Sequence, residues 1–254
     1  MSAALWIAWV MFRRAMVVRV SGGIAAFGPP AVVLLLLLAP STGADGLSGA
    51  KIEAIGVERT WSSFIEASVQ ISSVALPLAG GILVAWWFGR ELDDGMFPML
   101  FARAVPRRSI AAARLVMVFA WGAVVTVLSL AATLAAGALL GLEDAAGLVP
   151  AAWTFTVAAL LTLAILPVVA LATSVFRSTT AGFGVLIGIV VVTQLGIAFG
   201  LDAWMPLAVP SLLAGIAGAD AAAIVAWPHV LLLLTLGTAC AAGTIWWWAR
   251  ARVR

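Results

Sequence analysis

The stretch AWWFGRELDDGMFPMLFARAVPRRS, residues 85–109, joins two long apolar runs and decides how the chain is laid out. Residues 90–114 contain eight charged side chains, in a chain of 254 residues of which only 10% are charged. Gly95, Pro98 and Pro106 lie among these charges, and glycine and proline favour turns and helix ends. The pattern predicts an exposed, broken helical loop between two buried spans.

The rest of the chain is too apolar for a soluble domain of this size. Hydrophobic residues make up 64% of it, and the mean hydropathy is +1.17. A helix needs ~20 apolar residues to cross a bilayer, and it satisfies its own backbone hydrogen bonds in lipid. The sequence therefore predicts an all-α integral membrane protein, one transmembrane domain over residues 1–254. Six spans are expected at roughly 21–40, 67–89, 112–140, 151–176, 180–201 and 228–249.

The distribution of charge predicts the orientation of these spans. All basic residues except Lys51 and Arg59 lie in segments on the same side as the N-terminus, and most acidic residues lie on the other side. The positive-inside rule then places both termini and the loop 90–110 in the cytoplasm, and we expect a bacterial plasma (inner) membrane. Tryptophans near the inner span ends are interpreted as interfacial anchors: Trp86, Trp87, Trp246, Trp247 and Trp248.

Three further segments carry local predictions. Residues 1–20 combine apolar and basic side chains and are expected to form an interfacial helix. Pro29 and Pro30 should kink or break the first span. Residues 201–227 are apolar but interrupted by prolines, which predicts short re-entrant helices in the outer leaflet before the last span.

Several kinds of chemistry lack the residues they need. His229 and Cys240 are the sole histidine and cysteine, so the sequence offers no histidine pair for a metal site and no disulfide within the chain. The only lysine, Lys51, is followed by Ile52, which excludes a P-loop there. We therefore expect no catalytic residue, metal or cofactor on this chain. The scattered basic residues do not indicate nucleic-acid binding, and Asp93 with Asp94 is interpreted as a solvated turn.

Small and polar residues within the spans supply two candidate sites. Glycines spaced four apart let helices approach closely, and two such pairs in the fifth span are candidates for self-association: Gly184, Gly188, Gly196 and Gly200. Glu66 and Gln70 lie one helical turn apart near the outer end of the second span. They are the candidate polar residues of a substrate path.

The residues of the charged loop resemble those of a known family. Glu91, Gly95, Met99-Leu100, Pro106-Arg107-Arg108 and Arg114 are similar to the cytoplasmic loop of ABC-2-type exporter permeases. That family pattern has Glu, a spacer, Gly-Thr, Leu-Leu, Pro-x-Arg and a later Lys or Arg. Met96 replaces the usual threonine, and Arg114 replaces the common lysine. The six spans, the N-terminal segment and the interrupted stretch before the last span agree with the family over the whole chain.

The resemblance implies a permease subunit without its own motor. In that family two six-span permeases, identical or paralogous, pair through their first and fifth spans. Each docks a separate P-loop ABC ATPase, two copies in all, which binds ATP and Mg. A short helix in the loop 90–110 would be the coupling helix that contacts the ATPase. The coupling positions carried over to this chain are Glu91, Gly95, Pro106, Arg107 and Arg108.

The expected activity is export of an amphipathic or lipophilic substrate, such as a drug, a peptide antibiotic or a lipid, as in multidrug resistance. An apolar interior suits such molecules better than ions. Two other functions stay open: an ATPase-independent carrier or channel, and a non-transporting immunity or sensor subunit that binds an outer ligand through 41–66 and 201–227. For the loop itself, the alternative is a topogenic segment whose arginines only set orientation.

Overall fold

The computed structural model describes residues 2–38, 59–95, 105–142, 145–200 and 202–251, and nearly all of these residues are helical. Six helical segments are long and apolar enough to cross a membrane: Met16–Leu38, Trp61–Asp93, Arg107–Leu139, Ala145–Phe176, Thr179–Ala198 and Trp227–Arg250. The predicted all-α class and the six spans are confirmed.

We number the α-helices in chain order. They are α1 Ser2–Arg14, α2 Met16–Leu38, α3 Trp61–Asp93, α4 Arg107–Leu139, α5 Leu148–Thr162, α6 Leu166–Phe176, α7 Thr179–Ala198, α8 Val209–Leu213, α9 Ala219–Ile224 and α10 Trp227–Arg250. Helices α5 and α6 together form the fourth span, and a single 3-10 turn, Leu163–Ile165, separates them.

Helix α1 is a separate element that packs on the bundle through one face. Ala4, Ala8 and Phe12 are buried and four residues apart, which places them on one side of a helix. Trp6 and Trp9 on the other side are exposed. The predicted N-terminal helix is therefore confirmed, and its position at the membrane surface stays a prediction.

The first span runs through its two prolines without a break, so of the predicted kink or break only the kink stays a prediction. Helix α2 is continuous from Met16 to Leu38, with Pro29 and Pro30 inside it and buried. Proline removes a backbone donor and crowds the carbonyl four residues earlier. Here α2 packs along both α3 and α4, and neighbouring helices support proline within membrane spans.

Helix α3 is the central helix of the bundle, and its span has the largest buried share of the six. Gly81, Ala85 and Gly89 form a stripe of small residues along the side that meets α7. A Cβ atom added at Gly89 would lie 2.7 Å from the backbone nitrogen of Thr179. The two helices therefore touch almost backbone to backbone, a contact that the sequence patterns did not predict.

Short helices fill the segment before the last span, as predicted. They are the 3-10 turns Asp202–Trp204 and Pro206–Ala208, followed by α8 and α9. Val209 and Leu212 are buried against the spans. The depth of this segment in the outer leaflet stays a prediction.

His229 caps the start of α10. Its Nδ1 accepts a hydrogen bond from the backbone nitrogen of Ala226 at 3.0 Å, and its ring lies edge-on to Trp204 with centroids 4.9 Å apart. The sole histidine therefore has a structural role at a helix end, where it helps to hold the short helices against the last span.

Candidate functional site

Four helix ends meet at one end of the bundle. The rings of Phe12 on α1 and Trp87 on α3 lie 5.2 Å apart. Arg107 at the start of α4 donates from Nη1 to the carbonyl oxygen of Ala251, just after α10, at 2.6 Å. The N-terminal helix, the C-terminal end and both sides of the charged loop therefore share one end of the molecule. The predicted topology also places these segments on one side of the membrane. That this side is the cytoplasmic one stays a prediction.

A buried ion pair lies at the centre of this end. Glu91 on α3 and Arg114 on α4 are 7% and 4% exposed, and Arg114 Nη2 donates to Glu91 Oε2. Arg114 Nη1 also donates to the carbonyl oxygen of Trp87 at 2.7 Å. Removing either charge would leave the other buried without its partner, which is far more costly than losing an exposed pair. The pair therefore fixes α3 against α4 at the exit of the loop.

Aromatic rings surround the guanidinium of Arg114. Its Cζ lies 5.1 Å from the centroid of the Trp248 ring, 5.4 Å from that of Trp87 and 5.8 Å from that of Phe88. Such cation–π contacts strengthen when water is excluded. We call Glu91, Arg114 and these three rings the Arg114 cluster. It joins α3 and α4 to the last span.

Two of the predicted tryptophan anchors belong to this cluster instead. Trp87 is 2% exposed and Trp248 is fully buried, so the anchor interpretation is wrong for both. Trp248 Nε1 donates to Ser174 Oγ at 2.9 Å, which also ties α10 to α6. Trp246 is 59% exposed and keeps the accessibility that an interfacial anchor needs.

The acidic side of the loop caps another span. The carboxylate of Asp93 accepts a hydrogen bond from the backbone nitrogen of Thr179, with Oδ2 at 3.1 Å. An acidic side chain at a helix N-terminus satisfies a backbone donor and complements the helix dipole. Asp93 and Asp94 are exposed and lead into a turn, as predicted, and Asp93 also connects the loop to the start of α7.

The predicted coupling residues occupy two different environments. Glu91 is buried in the Arg114 cluster, and Arg107 is tied to Ala251. Pro106 and Arg108 are exposed at the start of α4.

The predicted turn at the acidic side of the loop is present. Gly95 is exposed and has φ +65°, a conformation that glycine adopts without strain. Residues 96–104, which hold most of the predicted coupling helix, lie outside the described residues. The coupling role of all five positions stays a prediction.

The glycines of the fifth span are not used equally within the chain. A Cβ atom at Gly184 or Gly188 would meet nothing within 4 Å, so this part of α7 is open to a partner. Gly196 is buried, and Gly200 lies in a left-handed turn with φ +70° beyond the end of α7. Packing against a second permease stays a prediction. Gly184 and Gly188 are better placed for it than Gly196 and Gly200.

Glu66 and Gln70 have different surroundings. Glu66 is exposed, whereas Gln70 Nε2 donates to the carbonyl oxygen of Gly215 at 3.4 Å. Gln70 thus helps to hold the short helices before the last span. Their role in a substrate path stays a prediction. Within the described ranges, no group of three histidine, cysteine, aspartate or glutamate side chains could hold a metal ion.

A family model described as "ABC-2 family transporter protein" matches residues 12–194, well over half of the chain. The chain therefore belongs to the ABC-2 transporter family, and it is a multi-pass membrane permease of an ABC transporter. The matched region includes the charged loop and the whole of α2, α3 and α4. No curated protein and no solved structure matches the chain.

Proposed function

We propose that this permease is the transmembrane subunit of an ATP-driven exporter, and that a separate P-loop ATPase docks on the charged loop. One observation carries the proposal: both flanks of the loop are tied to other spans. Asp93 holds the start of α7, Arg107 holds the end of α10, and Glu91 with Arg114 joins α3 to α4.

These ties make the loop a suitable point for transmitting force. A loop attached only to its own two helices could move while the rest of the bundle stayed in place. Here a displacement of residues 90–95 or 105–110 would act on α3, α4, α7 and α10 together. The low dielectric of the interior strengthens the attraction between opposite charges, so the buried Glu91–Arg114 pair would resist separation of α3 from α4.

The assembly would need two permeases and two ATPases. The open side of α7 around Gly184 and Gly188, with Ile187 and Val191 exposed beside it, supports pairing with a second permease, identical or paralogous. ATP and Mg would be bound by the ATPase subunits.

The substrate class follows from the character of the spans. The described spans carry almost exclusively apolar and small polar side chains, both on their exposed faces and on the faces buried in the bundle. An amphipathic or lipophilic molecule, such as a drug, a peptide antibiotic or a lipid, matches this environment better than an ion does. Export from a bacterial cytoplasm or inner leaflet is the proposed direction.

The docking role can be tested by charge reversal at the loop. We expect Arg108→Glu to weaken copurification of the P-loop ATPase from native membranes, because Arg108 is exposed on the proposed docking surface. Arg19→Glu is the control, since Arg19 is also an exposed arginine but lies on α2, outside the loop. The measurements are the amount of ATPase in the purified complex, identified by mass spectrometry, and the ATP hydrolysis rate in nanodiscs.

Equal ATPase recovery from Arg108→Glu, Arg19→Glu and the unchanged permease would contradict docking at this loop. Transport of the same substrate by purified permease without any ATPase would favour a secondary carrier. Ligand binding without transport and without an ATPase would favour an immunity or sensor subunit.

A further inference from the structure

A cavity lies beside the Arg114 cluster, between the N-terminal helix and the two helices that carry the charged loop. Its walls come from Ile7 and Met11 on α1, Trp87 and Glu91 on α3, and Ile110 and Arg114 on α4. The α1 wall is wholly apolar, and the ion pair forms the polar part of the opposite wall. The cavity is therefore amphipathic and lies at the end of the bundle where the loop emerges.

Trp87 lines this cavity and carries an unsatisfied donor. The side chain is 2% exposed, and its Nε1 has no hydrogen-bond partner among the described residues. A buried indole N–H normally finds an acceptor, and leaving one unpaired is unfavourable. A ligand with an oxygen acceptor would remove that cost.

The charges around the cavity select the sign of such a ligand. Arg13 and Arg14 end α1, shortly after the cavity residue Met11, and both are exposed. Glu91 is already paired with Arg114, so it adds little net negative charge. Basic side chains at a membrane surface attract anionic lipids.

We infer that this cavity binds an anionic phospholipid of the leaflet at the α1 end of the bundle. A phosphate or ester oxygen accepts from Trp87 Nε1, and an acyl chain lies along Ile7 and Met11 of α1. The bound lipid holds α1 against the Arg114 cluster. The inference depends on the membrane placement of the six spans and is independent of ATPase docking and of the exported substrate.

Photocrosslinking tests the site directly. The full permease is reconstituted in phosphatidylcholine nanodiscs that contain a little diazirine-bearing phosphatidylglycerol, and labelled peptides are identified by mass spectrometry. We expect labelling of α1 and of the α3 peptide that contains Trp87. Trp87→Phe should lower it by about threefold to tenfold, the range expected for one lost hydrogen bond. Ile7→Trp should block it by filling the apolar wall.

Matched controls separate the site from general effects on the helix. Trp6→Phe removes an exposed indole from α1, and Val10→Trp adds bulk to α1 at a residue that does not line the cavity. Both should keep normal labelling. The melting temperature of each variant, measured by intrinsic fluorescence, shows whether it is folded. If Ile7→Trp does not fold, Trp87→Phe still tests the site, because phenylalanine keeps an aromatic ring at this position.

Three results would overturn the inference. One is equal labelling of folded Trp87→Phe and the unchanged protein. Another is equal labelling at the same peptides by diazirine-bearing phosphatidylcholine, which would show that the site has no preference for an anionic head group. The third is full competition by millimolar inorganic phosphate, which would show recognition of a soluble anion instead of a lipid.

Discussion

At the residue scale, the pairing of Glu91 with Arg114 gives the charged loop its structural importance. These residues are 23 positions apart and separated by the loop, yet they meet in the interior of the protein. A buried pair of opposite charges adds little stability over apolar residues of similar size, but a single buried charge is strongly unfavourable. Its value here is to specify how α3 and α4 are placed.

Removal of Arg114 should destabilise the permease severely. We expect Arg114→Ala to lower the free energy of unfolding by about 3–5 kcal/mol, because Glu91 would stay buried without its partner. Denaturant unfolding in detergent micelles, followed by fluorescence, measures the change. Arg108→Ala serves as the control, and its effect should stay within about 0.5 kcal/mol since Arg108 is exposed.

The double variant Glu91→Leu, Arg114→Met tests the same explanation from the opposite direction. It removes both charges and should recover most of the stability lost in Arg114→Ala. A double variant no more stable than Arg114→Ala would show that the loss comes from packing of the guanidinium against Trp87 and Trp248 instead.

At the scale of elements, small residues determine how closely α3 and α7 approach. Hydrophobic association does not drive helices together inside lipid, so close packing supplies the attraction. Gly89 has the backbone of Thr179 directly opposite, and Gly81 has the side chain of Leu186. Leu186 can change rotamer, whereas the backbone at Thr179 cannot yield without moving α7.

Replacing glycine by alanine should have opposite effects on stability inside and outside the stripe. Gly89→Ala should destabilise the protein by about 1–3 kcal/mol through overpacking. Gly23→Ala, on α2, should be neutral or slightly stabilising, because nothing lies within 4 Å of the added methyl group and alanine favours a helix. Melting temperatures of the two purified variants provide the comparison, and equal values would contradict the close contact.

At the scale of the whole molecule, the outer surface of α7 is the candidate contact with a second permease. Only 28% of its span is buried within the chain, whereas 67% of the α3 span is buried; the last span is also largely unburied, at 17%, so the glycines rather than burial single out α7. Gly184 and Gly188 lie in open space on that surface. In a lipid environment such glycines are suited to close contact with another helix.

Disulfide crosslinking should detect that contact. The sole cysteine, Cys240, is replaced by serine, and Gly188→Cys is introduced on α7. We expect oxidation in native membranes to give a covalent dimer if the two permeases are identical. Val127→Cys on α4 is the control, because Val127 is 67% exposed but lies on another helix. Equal dimer yields at both positions would argue against a specific α7 contact.

The fold was largely predictable because entry into a membrane depends on short stretches of sequence. Each span is recognised from ~20 neighbouring residues, and orientation follows from the charges between spans. The turn at Gly95 was also predictable, because glycine adopts a left-handed conformation without strain. At Pro29 and Pro30 the local rules allowed a break that does not occur, because contacts with α3 and α4 support a continuous helix there.

The site itself was only half predictable. Glu91 and Arg114 were both recognised as part of the loop pattern, but their pairing was not, because nothing in their spacing shows which helix faces turn toward each other. Trp87 and Trp248 resemble interfacial anchors when judged by position alone. Their burial around Arg114 depends on a contact between α3, α4 and α10.

The sequence by itself determined that this chain is a six-span membrane protein of the ABC-2 type with a charged loop between its second and third spans. Partition into lipid and family-specific loop chemistry are properties of contiguous residues. The tertiary structure alone decided which charges pair, which tryptophans are buried and which glycines face outward. Those outcomes depend on residues far apart in the chain, such as Arg107 and Ala251, that only helix packing brings together.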